Sequence, residues 1–208
     1  MITDAAAAFE LPLFPLQSVL FPSGLLGLKV FEARYLDMIG SCLREQTPFG
    51  VIALKKGSEV KAADRTPVAL ESVGCMAELI EVDSVQPGIL QVRCRGTQRF
   101  EATHIEQQAD HLWVAQARRL PEDETVLPSE ALLGSAKGLA NAIATLKQQG
   151  SVPFLEPYQF DSAGWLANRW CEILPISLAA KQKLMELPDP LVRLQLVDEF
   201  LRSKGVVV

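Results

Sequence analysis

Histidine is nearly absent from this chain: His104 and His111 are the only two in 208 residues. Both stand in strand-like text with no Ser or Cys nucleophile in a recognisable elbow, so histidine-dependent hydrolysis has no seat here. Cysteine is scarce too. Cys42, Cys75, Cys94 and Cys171 are scattered, with no CxxC pair and no histidine at ligand spacing. They read as reduced core thiols rather than a metal site or a disulfide set. No apolar run reaches the roughly 18 residues that a spanning helix requires. The opening MITDAAAAFELP carries Asp4 and Glu10 where a secretory leader would be basic, so a cytoplasmic chain without a membrane span is expected.

Missing motifs exclude further chemistry. GLLGLKV (24–30) lacks the order of a P-loop, and GxGxxG, HExxH and GxSxG do not occur; no nucleotide cradle, zinc peptidase or serine elbow is written here. Glu78 and Glu81 should fall on opposite faces of a strand, and Glu122, Asp123 and Glu124 in a loop, which makes them solvated charges rather than an acid–base pair. Catalytic residues, cofactors and metals are therefore not expected. A net charge of −5 and a pI near 5.2 argue against a surface built to neutralise phosphates, and nucleic acid is the minority partner.

What is present is a core. Hydrophobic residues make up 49% of the chain and charged residues 22%, enough for one or two folded domains. In LPLFPLQSVLFPSGLLGLKVFEARY (11–35), Pro12, Pro15 and the turn Pro22-Ser23-Gly24 cut apolar text into short strands, which should be short, at an edge, or bent. A helix follows from Ala33 to about Arg44, with Tyr35, Leu36, Ile39, Cys42 and Leu43 on one face. FGVIAL, CMAELIEV, ILQVRCR and HLWVAQARRL then read as strands, with Gly96-Thr97 as a turn before QRFEATHI. PEDETVLP (121–128) reads as a linker between units at 1–120 and 129–208.

Beyond the linker the period becomes helical. Ser129 is placed to cap a helix running to Gly150, in which Gly134 and Gly138 are weak points unless close packing uses them. Asp161, Ser177 and Asp189 are placed to cap three shorter helices, with Pro190 at the first position of the last. A β-rich half followed by an α-rich half makes the class α+β.

Two clusters could bind something. Arg93 and Arg95 share the wet face of one strand, with Arg99 just across the turn, a candidate anion or RNA patch against a plain solvated face. Phe154, Tyr158, Phe160 and Trp165 could form an apolar polypeptide-docking surface. The alternative has these rings filling a seam. Trp165 and Trp170 are five apart on one helix, so one is expected to lean outward.

These residues resemble a family. Pro12, Leu13, Pro15, Leu16, Phe21, Pro22, Phe31, Glu32, Arg34 and Tyr35 match the opening of the Lon protease N-terminal (substrate-binding) domain. RCRGTQRF, with Arg99 and Phe100, is similar to its G-x-x-R-F segment, and LPISLAAKQKLMELPDPLVRLQLVDEFL (174–201) to its closing helices. The resemblance implies a PUA-like pseudo-barrel with one early helix, then a helical bundle. It implies a non-enzymatic, stand-alone module that captures unfolded polypeptide or a partner protein, without Lon's ATPase and Ser-Lys peptidase domains. The PUA-like architecture also keeps RNA open as an alternative, through the three arginines. Pro15, Leu16, Phe31, Glu32, Arg34, Tyr35 and Phe100 are expected to be mainly folding signals, with Glu32 pairing an arginine such as Arg99. DSAG (161–164) echoes the segment around Lon's catalytic serine, but Ser162 should open one helix and Lys204 end another, which is no catalytic pair.

Overall fold

Two prolines lie inside the first strand, β1 (Phe9–Leu16), and the pairing explains why it tolerates them. β1 pairs with β6 (Trp113–Arg119) only over Phe9 to Leu13, and with β3 (Phe49–Lys56) only over Leu13 to Leu16. Pro12 thus has a neighbour on one side and Pro15 on the other, and each missing N–H has an unpaired side to face. The structure is a computed structural model that describes residues 7–56 and 68–207. The chain divides into two units, Met1–Pro121 and Glu122–Val208.

The first unit adds β2 (Leu25–Val30), α1 (Ala33–Glu45), β4 (Ala69–Gln86) and β5 (Ile89–Gln107). The strand order is β2-β5-β4-β3-β1-β6, and a further β5–β6 pairing closes the sheet on itself. Among the described residues only the β1–β3 pairing is parallel. Closure works because β5 is long: residues 90–95 pair with β2, and residues 100–107 with β6.

Gly96 and Thr97 do not turn the chain as expected. They lie within β5, and the tight turn is at Pro87-Gly88, where Gly88 has φ +79°. Gly96 is required for a different reason. The loop before β2 folds onto it: Ser23 N–H donates to the Gly96 carbonyl and Gly96 N–H to the Gly24 carbonyl, both at 2.8 Å. A Cβ at 96 would run into the Phe21 carbonyl oxygen, with Leu20 beside it.

Burial on both faces follows from the strand period of two. Leu13, Ile52, Met76 and Phe100 form one apolar cluster, while the adjacent Phe14, Val51 and Cys75 join a second with Val30, Val92 and Cys94. α1 adds Tyr35, Met38, Ile39 and Cys42 to the second cluster. Leu43, expected on that face, is 55% exposed.

The second unit holds α2 (Leu133–Gln148), α3 (Ala163–Ile173), α4 (Leu178–Glu186) and α5 (Pro190–Ser203). Ser177 and Asp189 cap α4 and α5 as expected, but Ser162, not Asp161, caps α3, its Oγ accepting from Trp165 N–H at 3.2 Å. Ser129 makes no side-chain cap and opens a short 3-10 turn instead. α3 is buried from Ala163 through Cys171, so both Trp165 and Trp170 are inside, against the expectation that one leans out. Trp170 packs where Gly138 leaves room, and its Nε1 donates to the Ser135 carbonyl at 3.0 Å. The stretch read as a linker is tied into this unit, through an Asp123–Arg193 ion pair at 2.5 Å and an Ala163 N–H to Val126 carbonyl bond at 2.9 Å.

Gly96→Ala should lower unfolding stability by about 2 kcal/mol or more, because the contact it creates is with backbone that cannot rotate aside. Chemical denaturation measures this, and an unchanged midpoint would show that the loop yields.

Candidate functional site

The three arginines do not share a patch. Arg93 and Arg95 project from the wet face of β5 beside Glu81 and Glu78 on β4, paired at 2.9 and 2.8 Å. A register irregularity between Leu79 and Glu81 puts both glutamates on that face, not on opposite faces as strand alternation predicts. Arg99 is buried and donates to the Pro121 carbonyl at 3.2 Å. Glu32 pairs with Arg34 at 2.6 Å, not with Arg99. Two neutralised exposed cations and one buried one are poor phosphate ligands.

The aromatic cluster exists, but half of it is closed. Phe154 and Trp165 are buried at 2% and 5%, with Phe160 and Tyr158 half-buried over them in tilted and edge contacts 5.5 to 6.4 Å apart. Their main occupant is internal. The fully buried Arg169 guanidinium sits 5.6 Å from the Phe154 ring and 5.7 Å from Trp165, as a desolvated cation over ring faces prefers.

Arg169 also holds Glu172 at 2.6 Å. Burial pushes the Glu172 carboxyl up to about 7, with Arg169 and Lys181 holding it back in part. Nearby, Arg193 is buried and held by Asp123, the Asn168 side chain and the Leu184 and Leu187 carbonyls. These charges hold the helices in place. Ser162 is occupied as a cap, and Lys204 ends α5 with its Nζ over Phe200. Burial raises the thiols of Cys42, Cys94 and Cys171, the latter two to about 12, which keeps them protonated and unreactive. Among the described residues no cluster of His, Cys, Asp and Glu suits a metal ion, and no helix is long and apolar enough to cross a membrane. His104 and His111 are exposed in left-handed backbone, at φ +47° and +69°.

The motif residues around β1, β2 and α1 lead to open surface. Leu16 and Tyr35 are core, but Phe31 is 52% exposed. It rims a groove of about 380 Å³ whose floor is Phe14, Leu16, Leu28 and Tyr35 and whose rim also carries Lys29 and Glu32. A second groove, of about 620 Å³, lies between α1 and the β1–β6 side of the same unit and is more polar, with Arg34, Asp37, Glu45, Asp110 and Arg119 around it. Sequence reasoning missed Phe31 as a surface residue because its place in an apolar run reads as core. The signal it overlooked is that Phe31 follows the last strand residue, Val30, and precedes α1, so neither period buries it.

The family model of the ATP-dependent protease La (LON) substrate-binding domain matches residues 10–203. The Lon protease of Anaeromyxobacter dehalogenans is 26% identical over 95% of this chain, and Lon protease 2 of Myxococcus xanthus is likewise 26% identical over 95%. In both the match spans 24% of the relative, so this chain corresponds to about a quarter of their length. A crystal structure of a Lon N-terminal domain protein from Xanthomonas campestris superposes with a TM-score of 0.72 at 28% identity, covering 91% of this chain and 96% of that one. The N-terminal domain of a Mycobacterium avium complex Lon protease shares the fold, with a TM-score of 0.59 at 16% identity over 92% of this chain and 97% of its own.

Two outcomes test the charged core. Asp123→Ala should cost about 3 kcal/mol in denaturant unfolding, since it strands a buried guanidinium, and a loss below about 1 kcal/mol would deny Asp123 that role. Glu172 titrates higher folded than unfolded, so its contribution is present in full below the unfolded pKa, near 4.5, and is lost as pH rises to about 7. Stability should decline over that window by up to about 3 kcal/mol from this group, and Glu172→Gln should flatten the decline. The same slope in both proteins would remove Glu172 as its cause.

Proposed function

Because this chain belongs to the Lon substrate-binding domain family, we propose that it is a polypeptide-binding module that takes unfolded segments of other proteins on the apolar groove of its β-rich unit. The observation that carries this reading is the groove itself, with a floor of Phe14, Leu16, Leu28 and Tyr35 and a half-exposed Phe31 at the rim. Exposed aromatic surface beside a concave apolar floor is how proteins hold chains by shape and apolarity rather than by charge. The aromatic cluster of the helical unit is the weaker candidate, since Phe154 and Trp165 are buried and only Tyr158 and Phe160 are partly open. Binding proceeds without catalysis by this chain. Ser162 Oγ is committed to the Trp165 amide, and Lys204 closes a different helix.

The test is titration with fluorescein-labelled, reduced and carboxymethylated α-lactalbumin, a permanently unfolded probe, followed by anisotropy. Saturable binding that persists in 0.5 M salt is expected, with the native disulfide-bonded form not bound, and Phe31→Ala should weaken binding by about fivefold or more. No saturation by the unfolded form would contradict the proposal. Binding that vanished in salt would instead point to charge.

A further inference from the structure

A strand has two edges, and β2 has a partner on only one. Among the described residues β2 pairs with β5 alone, whereas β1, β3, β4 and β6 each have two neighbours. The Gly96 N–H bond to the Gly24 carbonyl fixes the phase of the β2–β5 ladder. By antiparallel alternation Leu26, Leu28 and Val30 exchange their bonds with Cys94, Val92 and Leu90, while Leu25, Gly27 and Lys29 direct N–H and C=O the other way. Those outward groups meet no hydrogen-bond partner among the described residues. The groove runs along this edge, because Leu26 through Glu32 line it without a break. Gly27 leaves a notch, with nothing within 4 Å of where its Cβ would stand.

We propose that the groove binds an extended polypeptide by strand addition: the incoming segment hydrogen-bonds the outward backbone of Leu25, Gly27 and Lys29 and lays alternate apolar side chains on the Phe14–Leu16–Tyr35 floor. This rests on the polypeptide-binding reading above and specifies its mode. Main-chain bonds are indifferent to side-chain identity, which suits a site that must accept many sequences, and alternate pockets supply the preference for apolar residues. A second copy of this chain fits the edge less well. Six residues give an edge about 20 Å long, and at the roughly 10 Å depth of one sheet layer that strip is about 200 Å², well short of the roughly 800 Å² per partner of a stable interface. Each copy also carries a net charge of −5.

Proline is the discriminating substitution. At 27 or 29 it deletes an outward N–H and fills the edge, yet it leaves the bonds to β5 untouched. Arg118→Ala on β6 is the control, since its exposed side chain lies outside the groove. With the carboxymethylated α-lactalbumin probe, Gly27→Pro and Lys29→Pro should each lose about tenfold or more in affinity while Arg118→Ala stays within about twofold. Melting temperatures near that of the unsubstituted protein certify folding. An octapeptide of alternating Val and Thr should compete for the probe, and its twin methylated at every amide nitrogen should not; this arm decides if neither proline variant folds. Folded proline variants that bind normally, or a methylated twin that competes equally, overturn strand addition while leaving polypeptide binding in place. Absence of probe binding to the unsubstituted protein overturns both. Sedimentation showing a dimer that the proline variants break would assign the edge to self-pairing and overturn the proposal.

Discussion

The continuity of β5 through Gly96 is the constraint on which the rest of the first unit depends. A nineteen-residue strand can serve β2 with its first half and β6 with its second only if it runs on past the crossover, and the missing side chain at 96 lets the Phe21–Gly24 loop pack against it there. That loop aims β2, which carries the chain into Phe31 and α1. The same arrangement that closes the sheet through β5 and β6 leaves the outer edge of β2 without a partner among the described residues. Closure at one place and openness at another are two results of one strand's path. Edges left open in this way are usually blunted, and here Lys29 and Gly27 stand on it without blocking its backbone.

The second unit is organised by buried charge. Arg169 sits among rings, with a carboxylate whose ionisation burial opposes, and Arg193 collects the ends of several segments, Asp123 among them. Such pairs add little net stability over apolar packing of the same volume, but removing one partner is costly, so they fix a single arrangement of α3, α4 and α5. The aromatic residues near position 160 find their role here, around α3 and Arg169, and this is why they leave little surface for a ligand.

Much of this was legible in the sequence, and the failures are physical. Prolines, strand periods and the caps Ser177 and Asp189 were readable because each acts through its immediate neighbours in the chain. Gly96-Thr97 misled because glycine marks both turns and close backbone approaches, and only the distant Phe21 distinguishes them here. The Glu78 and Glu81 placement failed because alternation assumes a regular ladder, and the irregularity after Leu79 arises from pairing with a strand not yet in view. One of Trp165 and Trp170 was expected outside because a helix normally has a wet side, whereas α3 is enclosed. The open edge could not be read at all. Strand text shows which side chains are apolar, not how many neighbours the strand will acquire.

Amide hydrogen exchange resolved by residue, with and without a saturating unfolded probe, tests the central claim most directly. In the free protein the Leu25, Gly27 and Lys29 amides should exchange rapidly while those of Leu26, Leu28 and Val30, held by β5, exchange slowly; on binding, the first three should become protected. Protection confined to residues around Tyr158 and Phe160, with these three amides unchanged, would contradict it.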